Sequence, residues 1–84
     1  MDEQERRNRI RARIKKRMID LQFAGKTTTR GEPISEAAIA RACDPPVTRV
    51  AAHLTTKGTC KSPRIREQIE HELGESYWIQ RRAA

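Results

Sequence analysis

The chain has few aromatic side chains and no long apolar run. Phe, Tyr and Trp occur once each among 84 residues. No apolar stretch approaches the roughly 20 residues that a membrane-spanning helix needs. The basic N-terminal stretch is not followed by the apolar segment of a signal peptide. We therefore expect one small, soluble, intracellular (cytoplasmic) domain whose modest core consists of Ile, Leu, Val and Ala.

Residues that commonly carry catalysis or bind metals are also scarce. Two cysteines, Cys43 and Cys60, provide no disulfide framework, and their spacing from His53 and His71 matches no standard zinc site. Gly25-Lys26-Thr27 resembles the end of a phosphate-binding loop, but the upstream glycine and the preceding strand are missing. Neither histidine has a cysteine or serine partner in its sequence context. We predict no metal, no cofactor and no enzymatic activity.

Positive charge is what the sequence has in excess. Eighteen Lys and Arg residues face eleven Asp and Glu residues, for a net charge of +7. Basicity of this size favours a polyanionic partner, most often nucleic acid. The charge is uneven, because residues 1–17 hold eight basic and three acidic residues, whereas residues 62–84 hold four of each. The positive field is therefore expected over the N-terminal and middle parts of the chain.

Residues 35–54 contain two short helical patterns separated by a double proline. Ser35 suits an N-cap, because its hydroxyl can accept a bond from a free backbone N–H of the first turn. The prolines disfavour helix just before them and favour a new start at Pro46. These features predict helices over 35–43 and 46–56, an arrangement typical of a helix-turn-helix, whose second helix lies in the DNA major groove.

The second of these helices has an apolar stripe and a mixed polar face. The stripe follows the i, i+3, i+4, i+7 spacing of a core-facing helix and comprises Val47, Val50, Ala51 and Leu54. The other face carries group types that can contact base edges, with a valine near a thymine methyl. We predict base contacts from Val47, Thr48, Arg49, Ala52 and His53. An ordinary solvent-exposed helix face is the alternative that the pattern leaves open.

The remaining segments complete a helical domain. Residues 1–23 read as a basic first helix with an apolar stripe at Ile10, Ile14, Met18 and Leu21. A loop at 24–34 is open to interpretation as a flap, an ordered excursion or a short hairpin. Ser62-Pro63 starts a helix over 62–73, with Ile65, Ile69 and Leu73 closing the core. In the C-terminal segment, 75–82, we favour core packing for Trp78 and leave core or dimer contact open for Tyr77 and Ile79.

The stretch around the double proline resembles the helix-turn-helix of the lambda-repressor/Cro family. Ser35, Ile39-Ala40, Asp44-Pro45-Pro46 and Val50 occupy the family's cap, helix, turn and anchor positions. The later run S-P-R-I-R-E-Q-I-E-H-E-L-G, followed by Tyr77-Trp78-Ile79, resembles small phage Ner-like regulators. The likeness covers roughly residues 34–82. Asp44 stands where the family usually has Gly, and Val47 where it often has Gln or Arg.

This resemblance implies an all-α, compact, four- to five-helix lambda-repressor-like bundle with a long basic N-terminal helix. It also implies a sequence-specific transcriptional regulator, of the phage or prophage repressor sort, that acts by occupying an operator. The expected partner is double-stranded DNA, bound as a homodimer on an inverted repeat. The phosphate contacts are predicted to come from Arg30, Ser35, Thr55, Thr56, Lys57, Lys61 and Arg64.

Two other functions remain open from the sequence. Residues 1–13 resemble the arginine-rich peptides of lambdoid phage antiterminators, which fold on an RNA hairpin. RNA binding through this segment is the first alternative, although such peptides do not need apolar residues in register with a helix core. The second alternative is a phage-encoded protein-interaction module that uses the same fold without DNA binding.

Overall fold

Four α-helices and their connections make up residues 2–78, the part of the chain that the computed structural model describes. The helices are α1 (Glu3–Phe23), α2 (Glu36–Ala42), α3 (Arg49–Lys57) and α4 (Pro63–Leu73). Within residues 2–78 no strand forms, and a single antiparallel bridge joins Thr27 to Pro33 in the loop after α1. The described part of the protein is therefore all-helical. Of the predicted C-terminal segment, residues 79–82 lie outside the described residues.

Side-chain caps determine where the helices begin. At each N-cap an oxygen accepts a hydrogen bond from the backbone N–H three residues on, and the caps are Asp2, Ser35, Thr48 and Ser62. Pro63 follows its cap at the first helical position, where a missing N–H is tolerated. Gly58 ends α3 in the left-handed conformation, with its N–H bonded to the carbonyls of Leu54 and Thr55.

The core lies where α1, α2 and α4 face one another. Its buried cluster comprises Ile14, Ile34, Ile39, Ile65, Ile69 and Leu73. The predicted stripes of the first and last helices are confirmed, because Ile14, Ile65, Ile69 and Leu73 are buried and Ile10, Met18 and Leu21 pack against them. Trp78 also packs against this cluster, as predicted. No helix within residues 2–78 combines the length and apolarity needed to cross a membrane.

The start predicted for the second helix of the motif is wrong by three residues. It was placed at Pro46, but α3 begins at Arg49. The reason is the cap: the Thr48 side chain accepts a hydrogen bond from the Ala51 N–H, and proline has no side chain that can do so. Residues 46–48 instead continue the turn, which the Val47 N–H closes by donating to the Ala40 carbonyl at 3.0 Å.

The prediction of which face of α3 is buried is also wrong. Val50 and Leu54 were expected in the core, yet they are 61% and 37% exposed. The buried residues are Ala52, Thr55 and Thr56, at 1%, 0% and 6% exposure. Val47 and Ala51 pack against the core only partly.

Hydrogen bonds to their hydroxyls allow threonines to be buried in this interface, where aliphatic side chains were predicted. Thr55 Oγ1 donates to the Ala51 carbonyl at 2.7 Å, and Thr56 Oγ1 has two acceptors within reach, the His53 carbonyl at 2.8 Å and the Glu36 carboxylate at 3.0 Å. Burial of a hydroxyl costs little free energy once it is hydrogen-bonded. The small side chains of this face suit the close packing of α3 against α1 and α2.

A pair of glycine substitutions tests how tightly α3 ends against α1. Gly58 and Gly25 both have positive φ, +92° and +71°, but a Cβ on Gly58 would lie 2.6 Å from Arg7 Cδ, whereas none of the surroundings of Gly25 lies within 4 Å. Each change to Ala should cost about 1–2 kcal/mol of backbone strain. We expect Gly58→Ala to cost at least about 1 kcal/mol more, from overpacking, measured by urea unfolding. Equal losses would show that Arg7 moves aside freely.

Alkaline titration tests the environment of the chain's one tyrosine. Burial, followed by the nearby Glu75 carboxylate, raises the pKa of Tyr77 from 10.0 to about 12, against the opposing effect of Arg13 and Arg17. Because the folded-state pKa exceeds the unfolded one, this contribution to stability is complete below pH 10 and is lost as the pH rises to about 12. Phenolate absorbance should report the shifted pKa directly. The Tyr77→Phe variant should lack this part of the loss of stability at alkaline pH. A Tyr77 pKa near 10 in the folded protein would contradict the burial of the side chain.

Candidate nucleic-acid interface

One side of α3 faces away from the core. It carries Arg49, Val50, His53, Leu54 and Lys57, and we refer to these five residues as the α3 outer face. Four of them are exposed, and the His53 side chain is 42% exposed. Their spacing of i, i+1, i+4, i+5 and i+8 places them along one surface of a helix. The outer face thus combines two cations, an imidazole and two aliphatic groups.

The carboxylate of Glu36 on α2 fixes the orientation of α3. His53 Nδ1 lies 3.1 Å from Glu36 Oε2, and the Thr56 hydroxyl lies 3.0 Å from the same oxygen and 2.8 Å from the His53 carbonyl, sharing its one proton between these two acceptors. Since a carboxylate only accepts, Nδ1 carries the proton in this contact. The Nε2 edge of His53 is then the one available to an outside partner. Two hydrogen bonds from adjacent turns of α3 to one carboxylate limit rotation of the helix about its axis.

The turn between α2 and α3 is held from α4. The Arg64 guanidinium donates from Nη1 to the Pro45 carbonyl at 2.6 Å. Arg64 remains exposed, so its other nitrogens stay at the surface beside the turn. This places one of the predicted phosphate-contacting residues next to the N-terminal end of α3.

The predicted base-contacting residues fall into two groups. Thr48, Arg49 and His53 lie at the N-terminus or on the outer face of α3, where a partner can reach them. The hydroxyl of Thr48 already serves as the helix cap. Ala52 is buried against the body of the protein, so its predicted base contact is unavailable in this fold. Val47 is half-buried and packs against the core.

Two of the predicted phosphate-contacting residues are likewise buried. The hydroxyls of Thr55 and Thr56 are buried and hydrogen-bonded within the fold, so neither is presented at the surface to a phosphate. The reason is the rotation of α3 described above. Lys57 and Lys61 are exposed, and Lys61 Nζ lies 3.7 Å from the Glu3 carboxylate.

The other two predicted phosphate contacts have structural partners. Ser35 is half-buried as the cap of α2, where its Oγ accepts from the Ala38 N–H at 3.0 Å. Arg30 is exposed and donates from Nη1 to the Arg41 carbonyl at 2.9 Å. The seven predicted residues therefore do not form one continuous exposed set.

Two outer-face residues, Val50 and Leu54, were missed because aliphatic periodicity placed them in the core. The sequence did contain a competing signal. Ala52, Thr55 and Thr56 also recur at i, i+3 and i+4, and small or hydroxyl-bearing residues at this spacing can form a close helix interface. Hydrophobic periodicity alone gives no reason to predict burial of that face rather than of the aliphatic face.

Among the five outer-face residues, His53 alone has a carboxylate contact within the described residues, to Glu36 at 3.1 Å. Glu32 pairs with Arg41 at 2.7 Å, and this hydrogen bond lowers the pKa of the Glu32 carboxyl. Glu75 lies 2.9 Å from Arg13. No such ion pair involves Arg49 or Lys57 within the described residues, and α3 itself contains no acidic residue. The surface presented by α3 is therefore suited to an anionic partner.

Residues 2–78 contain no group of three or more His, Cys, Asp or Glu side chains arranged to hold a metal ion. Burial raises the pKa of the Cys43 thiol, which keeps it protonated in the core.

Comparisons with protein-family models, with curated proteins and with solved structures found no match to this chain.

Proposed function

We propose that the protein is a sequence-specific DNA-binding transcriptional regulator whose α3 outer face enters the major groove. The observation that supports this most is the composition of that exposed face: cations, an imidazole and aliphatic groups, with no carboxylate. A net charge of +7 adds the long-range attraction to a polyanion that such proteins need.

In this proposal α2, the turn and α3 form a helix-turn-helix. The N-terminal residues of the second helix in such a motif contact base edges. Arg49, in the first turn of α3, offers a planar fork of donors that matches O6 and N7 of guanine. His53, one turn further, offers Nε2. Val50 and Leu54 supply methyl groups that can pack on the C5-methyl of thymine.

Phosphate contacts flank this surface. Lys57 ends α3 and Lys61 follows it, Arg64 reaches the turn before α3, and Arg30 lies near the end of α2, where it donates to the Arg41 carbonyl. Backbone contacts of this kind position a protein on the duplex without selecting a sequence. We propose a homodimer on an inverted repeat, a lambda-repressor/Cro-like regulator of the phage repressor type that blocks transcription by occupying its operator.

RNA binding through α1 is the second candidate. It is favoured by the exposed basic residues of that helix, Arg6, Arg9, Arg11, Lys15 and Lys16. Against it, Ile14 of the same helix is buried in the core, so α1 is part of the domain rather than a peptide awaiting RNA. A full-length protein that prefers a hairpin RNA to any duplex DNA would support this candidate.

The direct test is selection from a random duplex pool, followed by fluorescence anisotropy across salt concentrations. A DNA-binding regulator should prefer the selected duplex over scrambled DNA by roughly 10³-fold or more. Equal and steeply salt-dependent binding to both duplexes would show nonspecific attraction between a basic surface and phosphate. That result would contradict the proposal.

Replacement of Arg49 by alanine should weaken binding to the selected duplex by about 1–3 kcal/mol and relax specificity at one guanine. The loss should be small on scrambled DNA, because a base contact contributes little there. Arg9→Ala, an exposed arginine on α1, is the matched control and should leave specificity unchanged. Competition anisotropy measures both. An equal loss for Arg49→Ala on every sequence would make Arg49 a phosphate contact.

The exposed aliphatic pair allows a test that changes one methyl group. Uracil in place of a contacted thymine should weaken binding about fourfold, since burial of one such carbon contributes about 0.8 kcal/mol. In a Val50→Ala or Leu54→Ala variant the same uracil should have no further effect, because the methyl's partner is gone. Anisotropy with a series of single uracil substitutions measures this. If no uracil weakens binding to the selected duplex, Val50 and Leu54 do not contact thymine.

A further inference from the structure

A second charged surface begins at Gly58, directly after the last residue of the α3 outer face. A cleft of about 550 Å³ runs between the N-terminal half of α1, the loop after α3 and the first turn of α4. Its volume is within the range of small-ligand sites. Its charged lining consists of four cations and two carboxylates: Arg6, Arg7, Lys61, Arg66, Asp2 and Glu3.

Two arginines of this cleft have buried donors without acceptors. The Nε atoms of Arg7 and Arg66 are buried and have no hydrogen-bond partner among the described residues. A buried donor left unsatisfied is unfavourable, and more so when it belongs to a charged group. Native folds rarely leave two such groups around one cleft, so each calls for an acceptor that residues 2–78 do not supply. The donors point to an anionic ligand.

Both guanidinium groups are held in place by the fold. The aliphatic part of Arg7 packs over Gly58, where a Cβ would lie 2.6 Å from Cδ, and its Nη2 donates to Gln4 Oε1 at 3.2 Å. The guanidinium carbon of Arg66 lies 5.1 Å from the centre of the Trp78 ring, within the range of a cation–π contact. Their positions are therefore set before any ligand binds, which lowers the entropy lost on binding.

The two carboxylates of the cleft have partners other than Arg7 and Arg66. Asp2 accepts a hydrogen bond from the Glu5 N–H at 2.8 Å as the cap of α1. Glu3 lies 3.7 Å from Lys61 Nζ, and both side chains are about two-thirds exposed, at 68% and 66%. An exposed ion pair at this distance contributes little free energy, so Lys61 can readily leave Glu3 for another anionic partner. Neither carboxylate neutralises Arg7 or Arg66.

We propose that this cleft binds a phosphate group, held by the guanidinium groups of Arg7 and Arg66 with added charge from Arg6 and Lys61. Guanidinium and phosphate match in geometry, because parallel N–H groups meet two oxygens at once. The phosphate comes either from the DNA backbone or from a free phosphate such as a nucleoside monophosphate. The inference rests on the cleft alone and does not require the proposed operator binding.

The test follows the arginine Nε–H signals by NMR, since a buried Nε–H exchanges slowly with water. Sodium phosphate is titrated into the full chain, with sodium chloride at matched ionic strength as the reference. The Arg7 and Arg66 signals should shift saturably with phosphate and not with chloride, while that of the exposed Arg9 should not. Equal responses to the two salts, or none, would overturn the proposal.

Variants add an independent readout. Arg66→Gln should weaken phosphate binding about tenfold or more, because a hydrogen bond to a charged group is lost. Arg9→Gln is the control and should bind phosphate as the unchanged protein does. Circular dichroism checks that each variant is folded. If Arg66→Gln does not fold, Arg7→Lys replaces it as the test variant, because it keeps the positive charge and loses the planar guanidinium. Unaltered phosphate affinity in a folded Arg66→Gln or Arg7→Lys variant would overturn the proposal.

Further titrations distinguish the source of the phosphate. If a scrambled duplex shifts the Arg7 and Arg66 signals and inorganic phosphate reverses that shift, the site is a backbone clamp. If adenosine monophosphate shifts them and the duplex does not, the ligand is a free phosphate. Both results support the site. Operator preference is measured separately with the selected duplex, so failure of either proposal leaves the other standing.

Discussion

The Glu36 carboxylate is the interaction on which the geometry of the outer surface depends. It accepts hydrogen bonds from Thr56 and His53 on adjacent turns of α3, and so sets the rotation of that helix. With this rotation Ala52 and Thr55 are turned into the protein and the outer face is turned to solvent. The Glu36 carboxylate is partly buried against His53, and α3 itself contributes no acidic residue to its exposed side.

Three other acidic residues are likewise engaged within the fold. Glu75 pairs with Arg13, Glu32 pairs with Arg41, and Glu70 accepts the peptide N–H groups of Tyr77 and Trp78 at 2.8 Å. These acidic residues hold helix ends and loops, whereas many basic side chains of α1 and α3 remain at the surface. Such a division gives a small basic domain a positive field at its surface.

Gly58 connects the two surfaces proposed to bind nucleic acid and phosphate. It ends α3 in a conformation that favours glycine, and its lack of a side chain admits Arg7 from α1. The same residue thus limits the length of the α3 outer face and shapes the cleft beside it. A helix terminus used in this way couples the position of α3 to that of the first helix.

Local sequence signals were sufficient to predict much of this fold. Ser35 and Ser62 gave correct caps, and the stripes of α1 and α4 identified Ile14, Ile65, Ile69 and Leu73 as core residues. Part of the outer face, Arg49 and His53, was also predictable as exposed. These features depend on residues within one or two turns of each other, where capping and periodicity act.

Tertiary structure alone decided the rotation of α3 and the contents of the cleft. Aliphatic periodicity favoured burial of Val50 and Leu54, but Thr55 and Thr56 were buried instead because hydrogen bonds to Ala51 and Glu36 satisfied their hydroxyls. The cleft assembles residues from the two ends of the chain. The sequence thus determined the helices and most of the core, because those follow from neighbouring residues. Which groups meet across helices followed from partners that are distant in the chain.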